Sequence, residues 1–195
     1  MSIKLKIKVL SSIIFVITLF SCSGNSFNKL SIENPKKLIQ SQDSLLSNNV
    51  NNSRLLYALA NAHINVAKKY LNENQFDVAL NHFIVSNKFN ENNIYSKYGI
   101  LISEGQILIQ KGNKNGIWDA IEKYSKAASL YPNEGEPYYL IGVAYTKISD
   151  KDFDLILESF EKALSLNLNP DLKLKVEKRY NHVKSRKKNL DDFWK

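Results

Sequence analysis

Apolar residues are arranged along this chain in two ways. Between Val9 and Phe20 they form one block: Val9, Leu10, Ile13, Ile14, Phe15, Val16, Ile17, Leu19 and Phe20. From Leu38 onward they recur every three or four positions, the spacing of amphipathic helices. Asn34-Pro35 predicts a helix start, with Asn as the cap and Pro in the first turn. Leu38, Leu45 and Leu46 continue that helix and Asn48-Asn49 ends it. Six helices follow, predicted over Leu55–Tyr70, Phe76–Asn87, Ile94–Lys111, Trp118–Leu130, Tyr138–Lys147 and Asp154–Leu166. Polar breaks at Asn72–Asn74, Lys111–Gly116, Pro132–Pro137 and Ile148–Phe153 separate them. In a last helix, Leu172–Lys188, the apolar residues Leu172, Val176, Tyr180 and Val183 lie 4, 4 and 3 apart and form one stripe.

The apolar block has a different meaning. Lys4, Lys6 and Lys8 precede it without an acidic residue, and Ser21 and Cys22 follow it. A basic start, a short apolar stretch and a small residue at its end make a secretory signal. Its 12 residues are fewer than the roughly 20 that a membrane-spanning helix needs. Leu19-Phe20-Ser21-Cys22 resembles the lipobox of bacterial lipoproteins, with Phe20 the departure because a smaller residue is usual there. The resemblance implies cleavage before Cys22, a diacylglycerol on its thiol and acylation of the new amine. The residues alone leave an ordinary signal peptide, or a short anchor with a free thiol, open. Cys22 is the only cysteine, so no disulfide forms within the chain and packing must hold the fold. Acyl chains each contribute ~0.8 kcal/mol per buried methylene, so two or three give a stable anchor.

The repeating helix pairs resemble tetratricopeptide-repeat (TPR) proteins, in which a helix pair recurs every ~34 residues with small residues at the contacts. Val66-Ala67, Tyr70, Ala79, Phe83 and Ser86 carry the first match. Ala120, Tyr124, Ala127 and Pro132 carry the second, and Tyr138, Ile141-Gly142, Tyr145, Phe160 and Ala163 the third. The first helix of the second unit is longer than is usual in the family, and Gly99 and Gly105 leave its register open. The resemblance implies an all-α solenoid of about three repeats with a leading half-repeat. One pair cannot bury its apolar face, so the units must stack and the ends must be capped. The chain accordingly divides into a signal peptide at 1–21, a flexible tether at 22–34, a TPR solenoid at 35–170, and a basic capping helix and tail at 171–195.

Charge sharpens this division. The formal net charge is +8, and Lys4, Lys6 and Lys8 leave with the signal, which brings the mature chain to +5. Residues 171–195 hold nine Lys or Arg and four Asp or Glu, so that segment accounts for the whole excess. A basic surface spread over the domain, as nucleic-acid binding requires, is absent, and no nucleic-acid partner is expected. The tail cluster Lys184, Arg186, Lys187 and Lys188, followed by Phe193 and Trp194, is either a solvated helix end or a contact for an anionic surface.

Catalytic signatures are missing from the sequence. It has no glycine-rich phosphate loop and no G-x-S-x-G motif. His63, His82 and His182 are far apart in sequence, and His63 falls at a packing position. Asp150, Asp152 and Asp154 alternate but lack the later Gly and Glu of a calcium loop, and read as a turn with Asp154 as helix cap. Neither a metal nor a cofactor is expected. In the TPR family the concave face, lined by the first helix of each pair, binds partner segments. By helical spacing, that face holds Asn61, Ile64, Asn65, Lys68 and Asn72 in the first unit, and Glu136, Tyr139, Val143 and Thr146 in the third. These residues do not reproduce the set with which some TPR modules grip C-terminal carboxylates. Lipidated TPR proteins of this kind serve as barrel-assembly subunits, pilotins or scaffolds of pili and motility machines. The expected function is therefore a lipid-anchored protein-binding scaffold at the outer membrane or the periplasmic side of the inner membrane. Its expected partners are proteins of an envelope assembly. The alternative is a binder of peptidoglycan or anionic lipid that acts through the basic tail.

Overall fold

The computed structural model describes residues 26–48, 51–149 and 151–194; the proposed signal peptide and Cys22 lie outside them. The described residues form ten helices: α1 (26–33), α2 (Pro35–Gln40), α3 (Gln42–Asn48), α4 (Ser53–Asn72), α5 (Phe76–Phe89), α6 (Ile94–Lys111), α7 (Lys114–Leu130), α8 (Glu136–Ile148), α9 (Phe153–Leu164) and α10 (Pro170–Phe193). They are all-α apart from an isolated bridge between Glu134 and Asn167, which ties the loop before α8 to the loop after α9. From α4 onward each helix packs on the next in the chain, and α4 also meets α2 and α6. The result is a solenoid of three pairs, α4/α5, α6/α7 and α8/α9, closed at one end by α10.

Asparagine caps five of the ten helices at their starts. The side chains of Asn34, Asn52, Asn93, Asn113 and Asn169 each accept a hydrogen bond from a backbone N–H in the first turn of the helix that follows. Each such cap contributes about 1 kcal/mol by satisfying a donor that the helix leaves open. The cap at Asn113 corrects the expected loop at Lys111–Gly116. Only Gly112 and Asn113 are non-helical there, and α7 begins four residues before Trp118. Gly112 takes φ +72° as the C-cap of α6, a conformation open to glycine without strain.

Small residues admit aromatic rings between helices, which settles the register that Gly99 and Gly105 left open. A methyl group at Gly99 would meet the Phe83 ring of α5 at 2.4 Å, and one at Gly105 would meet Tyr124 of α7 at 2.4 Å. Gly142 of α8 and Phe160 of α9 repeat the arrangement at 2.5 Å. Phe83, Tyr124 and Phe160 are almost wholly buried, and each such side chain contributes about 1.5–3 kcal/mol through removal from water. Around them the core runs as successive clusters: Leu38, Leu55 and Leu59 at the N-terminal end; Ile102, Ile121 and Leu140 in the middle; Ile156, Phe160 and Val176 at the end. The stripe read from α10 is the seam of the cap. Val176 and Val183 are buried there, and Leu172 and Tyr180 pack beside them.

Two further expectations are corrected. A flexible tether over 22–34 does not describe 26–33: this segment is helical, Ser31 is buried, and Phe27 and Leu30 pack on the N-terminal cluster. The polar composition concealed those apolar contacts. Asp154 is not the cap of α9. Asp152 holds that position, and Asp154 pairs across to Lys187 of α10.

Candidate functional site

Among the described residues, two of the clefts along the helices hold predicted groove residues. The first, about 550 Å³, is built on α4, with Asn61, Ile64, Asn65 and Lys68 on one wall and Tyr95 and Tyr131 opposite. Steps of 3, 1 and 3 between those α4 residues place them on one stripe, as the sequence predicts. The Lys68 ammonium lies 4.2 Å from the Tyr95 ring centroid, a cation–π contact that holds the lysine across the cleft. Tyr95, Tyr98 and Tyr131 meet with centroids 5.3–6.2 Å apart. Asn65 has an internal task as well: its Nδ2 donates to the Ser31 carbonyl at 2.9 Å and ties α1 to α4. Ile32 of α1 consequently stands at the mouth of the cleft, 72% exposed.

The remaining predicted groove residues are placed differently. Asn72 is exposed at the end of α4 and is not among the cleft's lining residues. Glu136 lines neither described cleft; it accepts a 2.8 Å hydrogen bond from the Tyr98 hydroxyl. Burial raises its carboxyl pKa, the Tyr98 hydrogen bond opposes that rise, and Glu134 adds to it. Burial likewise pushes the Tyr98 hydroxyl well above the ordinary tyrosine range, helped by Glu136. Val143 packs into the cluster between α8, α9 and α10. Spacing alone missed these outcomes, since the preceding pair covers Glu136 and α9 and α10 cover Val143.

The second cleft, about 680 Å³, lies between α8 and α10. Tyr139 and Thr146 of α8 line one side, and Phe160 and Val183 contribute its apolar part. Lys175, Lys178, Arg179, His182 and Arg186 of α10 line the other. Of the predicted tail cluster, only Arg186 is there. Lys187 is engaged with Asp154, Lys184 lies 5.4 Å from the Tyr180 ring, and Lys188 is exposed. The sequence reading missed Lys175, Lys178, Arg179 and His182. Their spacing was the available signal, because it puts them on a single face of α10.

Two of the three histidines meet, contrary to the expected separation. The Nδ1 atoms of His63 and His82 are 2.9 Å apart, and His63 Nε2 is 3.2 Å from Gln42 Oε1. The set closes when His63 donates to Gln42 and His82 donates to His63, both rings being neutral. Burial, and secondarily His82, lowers the His63 pKa to about 4; burial and Lys36 lower that of His82. With Tyr70 stacked on His82 and Phe89 beside His63, this is a polar core element that locks α3, α4 and α5 together. Among the described residues no group of three or more His, Cys, Asp or Glu is placed to hold a metal ion, and no helix is long and apolar enough to cross a membrane.

Neither a protein-family profile nor a curated protein matches the chain. Solved structures do resemble it. MamA (residues 41 to the end) from Desulfovibrio magneticus RS-1 superposes with a TM-score of 0.51 at 17% identity, covering 86% of each chain. Yeast Tom70 superposes with a TM-score of 0.53 at 16% identity, covering 91% of this chain and 39% of Tom70. At this identity the likeness bears on the fold alone, and it shows an all-α solenoid of the TPR type.

Proposed function

We propose that this chain is a lipid-anchored scaffold of the bacterial cell envelope that holds segments of partner proteins in its clefts. The observation that carries the reading is the α4 cleft. It is open, and it combines amide side chains, a lysine and tyrosine rings on a rigid helical frame. Asparagines there offer donors and acceptors to a partner's backbone, and tyrosines offer large contact area at low conformational cost. The lipobox-like Leu19-Phe20-Ser21-Cys22 supports attachment through Cys22, at the outer membrane or the periplasmic side of the inner membrane. In this reading the protein works as an adaptor and not as an enzyme.

A partner capture from gently solubilised membranes tests it. Wild type is compared with Cys22→Ala and with Asn61→Ala/Lys68→Ala. The scaffold reading predicts one protein recovered with wild type and lost with the cleft variant. Recovery unchanged by the cleft variant but lost with Cys22→Ala refutes a specific cleft and leaves only placement by the lipid. Binding to peptidoglycan or anionic lipid through residues 184–195 is the second reading; the exposed Phe193 and Trp194, 77% each, favour it. The engagement of Lys187 with Asp154 weighs against it.

A further inference from the structure

We infer that the cleft between α8 and α10 is a docking site for an acidic segment of a partner protein; this rests on the scaffold reading and assigns its chemistry. Lys175, Lys178, Arg179, His182 and Arg186 recur at steps of 3, 1, 3 and 4, so they share one face of α10. At 1.5 Å per residue this stripe is ~16 Å long. Four permanent cations therefore face one recess, and none of the residues lining it is acidic. Two carboxylates of α9 are already engaged with α10: Asp154 with Lys187, and Glu161 with the Tyr180 hydroxyl. Among the described residues no carboxylate pairs with Lys175, Lys178 or Arg179. Like charges lined up in this way repel one another in the free protein, and an anionic occupant removes that repulsion.

The shape of the recess selects a chain segment over a bilayer. Its floor is aromatic, with Tyr139 6.0 Å from Phe160 and the Arg179 guanidinium 5.9 Å from the Tyr139 ring. A flat membrane surface meets a basic face from outside and leaves such a floor uncovered. A segment of about five extended residues spans ~16 Å at ~3.3 Å each. Its carboxylates reach the stripe while one apolar side chain rests on Tyr139. Arginine is well suited here, since it binds a carboxylate through two N–H groups while stacking on a ring.

The test uses the full processed chain and a fluorescein-labelled probe: six residues, all Asp or Glu except one central phenylalanine. Controls are the same peptide with Asn and Gln in place of the acids, and vesicles of 70% phosphatidylcholine and 30% phosphatidylglycerol. Anisotropy is read for wild type, for Lys178→Glu/Arg179→Glu, and for Lys184→Gln/Lys188→Gln, with circular dichroism melts to confirm folding. Lys175→Gln/Lys178→Gln replaces the first variant if that one fails to fold. The proposal predicts binding of the acidic probe alone, a Kd raised at least tenfold by the cleft variant and less than twofold by the tail variant, and steep weakening with salt. Absence of probe binding, or an equal Kd in the cleft variant, overturns it. So does cleft-dependent binding of vesicles without binding of peptide. Partner capture separates this proposal from its premise. A partner retained by the cleft variant but lost with Asn61→Ala/Lys68→Ala removes the acidic-segment proposal and leaves the scaffold reading standing.

Discussion

Replacing Gly142 with alanine tests how the helix pairs interlock. In an exposed helix this change stabilises by ~1 kcal/mol, because glycine is the poorer helix former. Here the added methyl would lie 2.5 Å from Phe160 Cε1 and 2.7 Å from Cδ1, with Ser159 Cβ at 3.2 Å. Carbon atoms prefer ~3.5–4.0 Å, so the ring must move by ~1 Å. It has little room, since Phe160 is fully buried in the same cluster as Ala163 and Val176, with Tyr139 alongside. Overpacking of this kind costs ~1–3 kcal/mol. Set against the propensity gain, the net expectation is a loss of ~1 kcal/mol. That corresponds to a Tm lower by ~2–4 °C for a chain of this size. The assay is a double-mutant cycle by thermal and urea unfolding, with Phe160→Leu as the second change. In the Phe160→Leu background the clash is relieved, and Gly142→Ala becomes neutral or stabilising, giving a coupling of ~1–2 kcal/mol. A Gly142→Ala protein more stable than wild type, or additive effects within ~0.3 kcal/mol, refutes the packing argument.

Four further outcomes follow from the same structure. Tyr98→Phe leaves the half-buried Glu136 carboxylate without its donor and lowers stability by ~1 kcal/mol in urea unfolding, whereas Glu136→Gln keeps an acceptor and costs less. Asn113→Ala and Asn169→Ala each remove a cap and cost ~1 kcal/mol, read from the urea midpoint. Both His63 and His82 have pKa values lowered by folding, so the unfolded chain takes up more protons in acid. The stability they give is complete above pH ~6.5 and falls as the pH drops toward ~4, and a His63→Phe/His82→Leu variant shows a flatter dependence of its urea midpoint over that range. Ending the chain before Pro170 uncovers Ile156, Phe160 and Ala163, and the truncated protein is expected to aggregate or melt well below the full chain in light-scattering and dichroism measurements.

The repeat architecture was legible because it rests on local periodicity. α6 matches its predicted bounds, and the apolar stripe of α10 proved to be the seam of the cap. The small-residue positions Gly99, Gly105 and Gly142 were visible, but not which ring each receives, since that depends on the crossing of two helices. The asparagine caps were present in the sequence too. Only Asn34 was read as one, because a cap signal is weak in a chain so rich in asparagine. What escaped the sequence reading lies between elements distant along the chain. His63 and His82 are 19 residues apart, Tyr98 and Glu136 are 38 apart, and Asn65 reaches back 34 residues to Ser31. Helical spacing says which face a side chain occupies but not what covers that face. Asn61, Ile64 and Lys68 therefore fell in a cleft while Glu136 and Val143 did not. The basic stripe of α10 was present in the sequence as a spacing, but it was missed because nothing there placed α8 opposite it.

The central claim, that partners are held by the clefted face, is tested most directly by photo-crosslinking in intact cells. A benzophenone amino acid is placed singly at Tyr57 or Tyr95 beside the α4 cleft, at Lys178 in the α10 cleft, and at the exposed Glu122 or Lys126 of α7 for comparison. The account predicts a discrete protein adduct from the cleft positions and none from α7. No adduct from any cleft position, or the same adducts at equal yield from α7, would contradict it.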